Sequence, residues 1–489
     1  MSIIKKLAGQ TAIYGLSSII GRLLNYMLVP LHTHETYGFN EAQYGVISEF
    51  YAYVAFFIVL LTFGMETTFF RFVNKHEDKE KVFNQAASFV ILLSGIFFIT
   101  VLVFSGNIAS WMGYPEMQNF VTWFGAILAV DAVSSLFLAK LRFQNKAKKF
   151  AIVQLASIAV NILLNLVLIL GFYDAAQPDL SMGIGFVFLA NLAASIIKPL
   201  ILFKEVRLYR FVWDKAMSKA MFLFALPLAI AGFAGIINET LDRILIKRLM
   251  MGGGSETELE FAQSQVGIYS ANYKLSVLIT LFIQAFRFAA EPFFFEQEKN
   301  QDKDKVYSKV MTYFVIVVSL MFLVISLNLD IFKWFIPNEA FHEGLTVVPL
   351  LLMANVCLGI YYNQSIWYKL ADKTIYGAYI AIAGAAITIG LNLVLIPWLG
   401  YAGAAWTTFV CYFSMMVMSY YFGKKIYPIK YNMRKIGLYT ISAFFLWLIG
   451  YGLTFDSFWI TFLFHNILVL LFISIVLFME RPFQNLRKR

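Results

Sequence analysis

Fourteen apolar stretches, each long enough to cross a bilayer, occupy this chain almost end to end. A helix needs about 20 mostly apolar residues to span the hydrocarbon, and only backbone that satisfies its own hydrogen bonds is stable there. The expected fold is therefore all-α integral membrane, with fourteen transmembrane helices at 9–31, 45–70, 83–106, 117–139, 150–173, 182–203, 218–243, 264–290, 307–330, 344–368, 374–396, 401–422, 436–454 and 457–479. With 60% hydrophobic residues and 14% charged, an aqueous core has no room for that much apolar surface.

Lysine and arginine concentrate in every second connection. Arg71, Lys75, Lys79 and Lys81 follow the second span, Lys140 to Lys149 the fourth, and Lys204 to Lys219 the sixth. The pattern continues with Lys299 to Lys309, Lys369 and Lys373, Lys424 to Lys435, and Arg481 to Arg489, whereas 32–44, 106–116, 174–181, 397–400 and 455–456 carry no lysine or arginine. The positive-inside rule then places both termini of this multi-pass chain in the cytoplasm. Topology and anionic head groups account for the net charge of +10, so nucleic acid is not an expected partner. The apolar run after Lys5 and Lys6 is interrupted by Arg22 and lacks a small-x-small cleavage site, which reads as a retained first helix. Cys357 and Cys411 both fall inside spans and suggest neither a disulfide framework nor a metal site.

An internal duplication organises the chain. Leu164-Asn165-Leu166-Val167-Leu168-Ile169 in span five recurs as Leu391-Asn392-Leu393-Val394-Leu395-Ile396 in span eleven. At nearly the same offset, Tyr44-Gly45 pairs with Val266-Gly267, and Lys81-Val82-Phe83-Asn84 with Lys305-Val306-Tyr307-Ser308. An offset of six spans keeps both halves in one orientation, related by a pseudo-two-fold axis along the membrane normal. The expected domains are an N-terminal lobe over 1–215, a C-terminal lobe over 216–430 and an appended helix pair over 431–489. The connection 244–263, with Gly252-Gly253-Gly254 and then Glu256, Glu258 and Glu260, reads as a flexible acidic loop.

Ionisable residues at mid-membrane cost roughly 2.5–3.5 kcal/mol each on insertion scales, so each should face protein or water. In span one, Thr11, Tyr14, Ser18, Arg22 and Asn25 share a helix face. Span eight repeats the arrangement with Tyr273, Ser276, Thr280, Gln284, Arg287 and Glu291, with Lys274 beside it, and span five offers Gln154, Ser157, Asn161 and Asn165. Further charges are Glu66, Asp131, Lys198, Glu239, Asp242 and Arg243. The plain reading is interhelical polar glue, with Lys198, Arg287 and Glu291 snorkelling to head groups. The sharper reading takes Arg22 and Lys274 together: one mid-depth cation from each half, without an acid at the same depth, suits an anionic cargo held through charge-assisted hydrogen bonds. His32 and His34 read as solvated loop residues more than metal ligands, and His465 as a packing residue more than a proton relay. There is no phosphate-binding glycine loop and no soluble domain for ATP hydrolysis, so no cofactor is expected and any energy input comes from ion or cargo gradients.

The chain resembles the multidrug/oligosaccharidyl-lipid/polysaccharide (MOP) exporter superfamily, and within it the polysaccharide-biosynthesis flippases of the Wzx type. The resemblance covers essentially all residues and rests on Gly21-Arg22 and Pro30, Glu41-Ala-Gln-Tyr44-Gly45, Leu226-Pro227, Asp242-Arg243 and Val266-Gly267-Ile268-Tyr269-Ser270. It implies two pseudo-symmetric six-helix lobes, MATE/MurJ-like, around a cationic cavity that opens to alternate sides. The implied cargo is a polyprenyl-pyrophosphate-linked oligosaccharide carried to the outer leaflet for surface polysaccharide assembly, without enzymatic chemistry. Arg22 and Lys274 match positions where such flippases carry cavity cations. Asn25, Tyr273, Gln284, Arg287, Asn161 and Asn165 are further binding candidates. Glu66, Asp131, Glu239, Asp242 and Glu291 are candidates for counter-ions or for coupling to sodium or protons. Implied partners are membrane lipids and polysaccharide polymerase machinery. Span two carries Glu66 and no mid-depth base, a departure from the lipid II flippase pattern. The alternatives are an ion-coupled organic-cation antiporter, whose first-helix acid is replaced here by Arg22, and a membrane-embedded polymerase or ligase, which needs a larger outer loop.

Overall fold

The computed structural model describes residues 15–480 apart from 16, 18, 175–179, 253–254, 299 and 454. Thirteen helices among these are long and apolar enough to cross a membrane. The first expected span begins outside the described residues, and its helical part, α1, covers 19–26. The others are α2 (Glu41–Val73), α3 (Lys79–Met112), α4 (Pro115–Phe143), α5 (Ala147–Phe172), α6 (Gly183–Ile201), α7 (Lys215–Met250) and α8 (Glu256–Gln297). They continue as α9 (Lys303–Leu327), α10 (Glu339–Leu370), α11 (Ile375–Leu399), α12 (Tyr401–Ile426), α13 (Met433–Gly452) and α14 (Phe458–Glu480). This is a multi-pass, all-helical membrane protein.

Local sequence explains the breaks. Pro30 has no N–H to give, and α1 stops at a turn over Met27–Leu28 before the short helix Val29–His32 resumes. In α2, Phe63 and Gly64 both take positive φ, 48° and 66°, which interrupts the helix before Met65. The expected acidic loop over 244–263 is a correction: α7 continues to Met250 and α8 starts at Glu256. Its glutamates sit in the first turns of α8, where the helix dipole favours them. Ser255 and Glu258 form a reciprocal cap there, Glu258 N–H to Ser255 Oγ at 3.3 Å and Ser255 N–H to Glu258 Oε2 at 3.1 Å.

Contacts divide the chain into two compact units, Met1–Ser270 and Ala271–Arg489, with the division falling inside α8. In the first unit, one apolar cluster joins Met65 and Phe69 of α2 to Phe83 of α3, Leu136 of α4 and Met221 of α7. A second joins Phe50 of α2 to Phe124 of α4 and Phe188 of α6, the last two rings 4.6 Å apart. Lipid tails are as apolar as leucine, so close packing through small residues decides which helices associate. In the second unit, Trp367 is buried against Gly423 of α12 and donates to Ser419 Oγ at 3.2 Å. The pair α13–α14 is anchored to α9 where a Cβ on Gly450 would stand 2.3 Å from Leu327. His465 packs at the same place, its Nε2 3.2 Å from the Gly450 carbonyl.

Candidate functional site

A polar chain links α1 to α5 in the first unit. Gly21 lets the two helices meet, since a Cβ there would lie 2.5 Å from Ile158. Beyond that contact Asn161 donates to Asn25 Oδ1 at 3.1 Å, Asn165 donates to the Asn161 carbonyl at 2.8 Å, and His32 Nε2 lies 2.9 Å from Asn165 Oδ1. Three residues singled out from helical spacing thus meet, together with His32. His32 is buried, which corrects its reading as a solvated loop residue. His34 accepts the Thr36 N–H at 3.1 Å, and among the described residues no group of three or more His, Cys, Asp or Glu is arranged to hold a metal. Arg22 is exposed on α1, next to Gly21, and makes no ion pair with any described residue.

Several other charges on the helices of this unit are paired. Glu66 binds Arg142, Asp131 binds Lys198 at 2.7 Å, and Lys140 binds Glu80 at 2.6 Å. Asp242 takes Arg243 at 3.0 Å and the Tyr269 hydroxyl at 2.5 Å. Glu239 offers its backbone carbonyl to Arg243 at 2.9 Å while its side chain stays exposed.

The pair Glu49–Lys247 is absent from the sequence reading, which ends span seven at 243 and leaves Lys247 in a loop. Lys247 and Glu49 are 0% and 1% exposed, with Nζ 2.9 Å from Glu49 Oε2. The ammonium also lies 3.5 Å from the Tyr114 ring, and the Tyr114 hydroxyl donates to the same carboxylate oxygen. Burial first, then the Glu49 carboxylate, pushes the Tyr114 phenol well above its ordinary value, so it stays a donor. Glu49 Oε1 has no hydrogen-bond partner among the described residues. One turn earlier on α2, a Cβ on Gly45 would stand 1.9 Å from the Gln263 carbonyl oxygen, and a Cβ on Gly267 1.9 Å from that of Glu41. The two copies of the repeated Gly motif therefore cross each other reciprocally, backbone against backbone. Glu49 lies four residues after Gly45, so it shares that face, which was the available sequence signal.

In the second unit, α8 carries its expected stripe through one continuous helix. Tyr273 is buried and Lys274 half-buried, and Ser276 donates to the Tyr273 carbonyl at 2.7 Å. Gln284 is half-buried. Arg287 stacks on Tyr362 with its guanidinium carbon 4.1 Å from the ring centre, and Glu291 pairs with Lys369. Lys198, Arg287 and Glu291 are thus engaged by protein groups, where snorkelling to head groups was expected.

Residues 7–298 match the profile of the family described as polysaccharide biosynthesis protein. Protein 1 of the Lsg locus of Haemophilus influenzae is 20% identical over 437 residues, covering 85% of this chain and 99% of that protein. Among solved structures, the lipid II flippase MurJ in an inward closed conformation superposes with a TM-score of 0.71 at 13% identity, covering 96% of this chain and 99% of that one. An inward-facing multidrug resistance transporter of the MATE family gives 0.64 at 14% identity, covering 87% and 98%. The matched profile spans more than half of the residues, and the helical arrangement agrees with it: the chain belongs to the polysaccharide biosynthesis protein family, with the fold of the MOP exporter superfamily.

Proposed function

We propose that this protein is a flippase that carries a polyprenyl-pyrophosphate-linked oligosaccharide from the cytoplasmic to the outer leaflet by alternating access. The halves 1–215 and 216–430 are the moving lobes in this reading, with 431–489 as an appended pair and both termini cytoplasmic. Arg22 and Lys274 are the proposed pyrophosphate ligands. Asn25 and Asn161 supply amide groups for sugar hydroxyls, with buried Asn165 holding Asn161 in place, and Gln284 and Arg287 supply an amide and a guanidinium from α8 beside Tyr273. The observation that carries the reading is Arg22: an exposed guanidinium on a membrane helix, without a carboxylate among the described residues, whereas Lys198, Arg243 and Lys247 on other helices of that unit each have one. An unpaired cation at that depth is costly, and a negatively charged cargo offsets the cost. The crossing at Gly45 and Gly267, with the dry Glu49–Lys247 pair behind it, is a contact the transport cycle makes and breaks.

The fold is shared with drug antiporters, so support for one reading over the other comes from the side chains. Glu66, Asp131 and Glu291 are held in ion pairs, which favours counter-ion roles over binding of a coupling sodium ion or proton. Translocation of a labelled polyprenyl-pyrophosphate oligosaccharide in proteoliposomes tests the proposal. Arg22→Ala and Lys274→Ala should each slow it by roughly tenfold or more, the worth of one charge-assisted hydrogen bond, with membrane insertion intact. Parental rates in both variants, or ion-driven export of cationic dyes by the parent protein, would overturn it.

A further inference from the structure

The internal duplication places one structural corner in the molecule twice, and the two copies are filled differently. In the first unit, the segment leading into α7 crosses the start of α3 and is tied down there. Lys81 binds Asp214 at 2.9 Å, Gln85 accepts the Asp214 N–H at 2.6 Å, and Ser88 Oγ accepts the Val212 N–H at 3.0 Å. In the second unit, the segment leading into α13 crosses the start of α9, where the repeated motif reads Lys305-Val306-Tyr307-Ser308. Among the described residues this segment is held by Asn432 N–H to Ser308 Oγ at 3.1 Å and by Lys303 Nζ to the Tyr427 hydroxyl at 2.9 Å, with no hydrogen bond to it from Lys305 or Lys309. Asp214 and Asn432 both cap the helix that follows, but the cap in the second unit is a neutral amide that leaves Lys305 without the carboxylate Lys81 has.

The result is a cavity of about 550 Å³ lined by Lys305, Lys309, Lys430 and Lys435 with the hydroxyls of Ser308 and Thr312. Two carboxylates also line it, Asp304 and Glu480, so four positive charges less two negative ones leave a net of +2. Lys435 is occupied by Glu480 at 2.7 Å, and Lys305 reaches outward to Asp302 at 2.7 Å in a pair exposed by 85% and 72%. Such a pair contributes little and competes weakly. Lys309 and Lys430 make no ion pair among the described residues, and both are exposed.

We infer that this corner binds the phosphate head group of an anionic membrane phospholipid, which takes the place that Asp214 fills in the first unit. Lysine ammonium groups and hydroxyls are suited to phosphate oxygens, and basic pockets between transmembrane helices at the lysine-rich face are where such head groups lodge. A lipid fits better than free phosphate because apolar surface leads away from the lysines. Tyr313 and Val317 follow Lys309 at four-residue steps on α9 and are exposed, as are Ile441 and Phe445 on α13. These faces give the acyl chains a path into the bilayer.

The test uses the full chain in vesicles of phosphatidylcholine with a minor share of phosphatidylglycerol, with retained lipid measured by native mass spectrometry. The parent should retain phosphatidylglycerol selectively. Lys309→Gln and Lys430→Gln should each lower retention by about fivefold, the order expected for one lysine near an anionic surface. Asn432→Asp keeps the helix cap, so it should fold, and it should lower retention comparably by supplying the missing carboxylate. Lys424→Gln, outside the cavity, should leave retention unchanged. Unchanged retention in all three cavity variants, an equal fall in Lys424→Gln, or displacement of the lipid by inorganic phosphate at equal concentration would each overturn the inference.

Discussion

The two ends of α2 carry the same chemistry in opposite surroundings. Near its start, Glu49 meets Lys247 in a site closed to solvent; near its end, Glu66 meets Arg142 with side chains 41% and 31% exposed. The buried end also brings two glycine backbones into contact, while the other end is broken by Phe63 and Gly64 and packs on phenylalanines, with Arg142 above Phe70 at 5.2 Å. A dry ion pair is costly to disrupt by halves because the remaining charge is stranded, whereas a wet one relaxes into solvent. The difference teaches that the first end behaves as a latch, making large, geometry-dependent demands, and the second as an adaptable anchor.

The comparison breaks most severely at the glycine crossing. Gly45→Val puts carbon atoms where the Gln263 carbonyl stands, and a backbone oxygen cannot move aside as a side chain does. The loss should exceed the ~1–3 kcal/mol of ordinary overpacking, and hydrogen–deuterium exchange should show unprotected amides at the starts of α2 and α8. Next comes Lys247→Met, which leaves Glu49 buried and unpaired at a cost of about 3–5 kcal/mol in thermal or denaturant unfolding. Adding Glu49→Gln should restore most of that loss, and failure to restore it would show that the charge pair is not the source. At the opposite end, Glu66→Gln should cost only about 0.2–1 kcal/mol, a contrast that sharpens the latch-and-anchor distinction.

The smallest effect concerns pH. The hydrogen bond from Lys81, then that from the Met217 N–H, lowers Asp214 from its ordinary carboxyl value of 3.8. A depressed folded-state value means the stabilisation is complete above 3.8 and is lost as pH falls through the folded-state value. Unfolding followed from neutral pH to below 3.8 should therefore show Asp214→Asn slightly less stable than the parent near neutrality, with the difference vanishing as pH falls through the folded-state value.

Part of the site was legible because helical spacing fixes which residues share a face before any packing is known. Asn25, Asn161 and Asn165 were chosen that way, and they form one hydrogen-bonded chain. Glu49 and Lys247 escaped because they lie 198 positions apart, and the one local signal, the face Glu49 shares with Gly45, does not name a partner. The repeated hexapeptide shows the same limit. Asn165 bonds to Asn161 and His32, while Asn392, in identical flanking sequence, is buried with neither amide atom bonded among the described residues.

The sequence by itself determined that the chain crosses a membrane many times, that its lysines and arginines alternate between connections, and that short motifs recur at an offset of six spans. These follow from transfer free energy and helical period, which act on each residue locally. Tertiary structure alone decided which charges pair, which glycines touch and where α7 ends. Each of those depends on what a distant helix brings into contact, and in a medium as apolar as the helices themselves, fit between surfaces makes that choice.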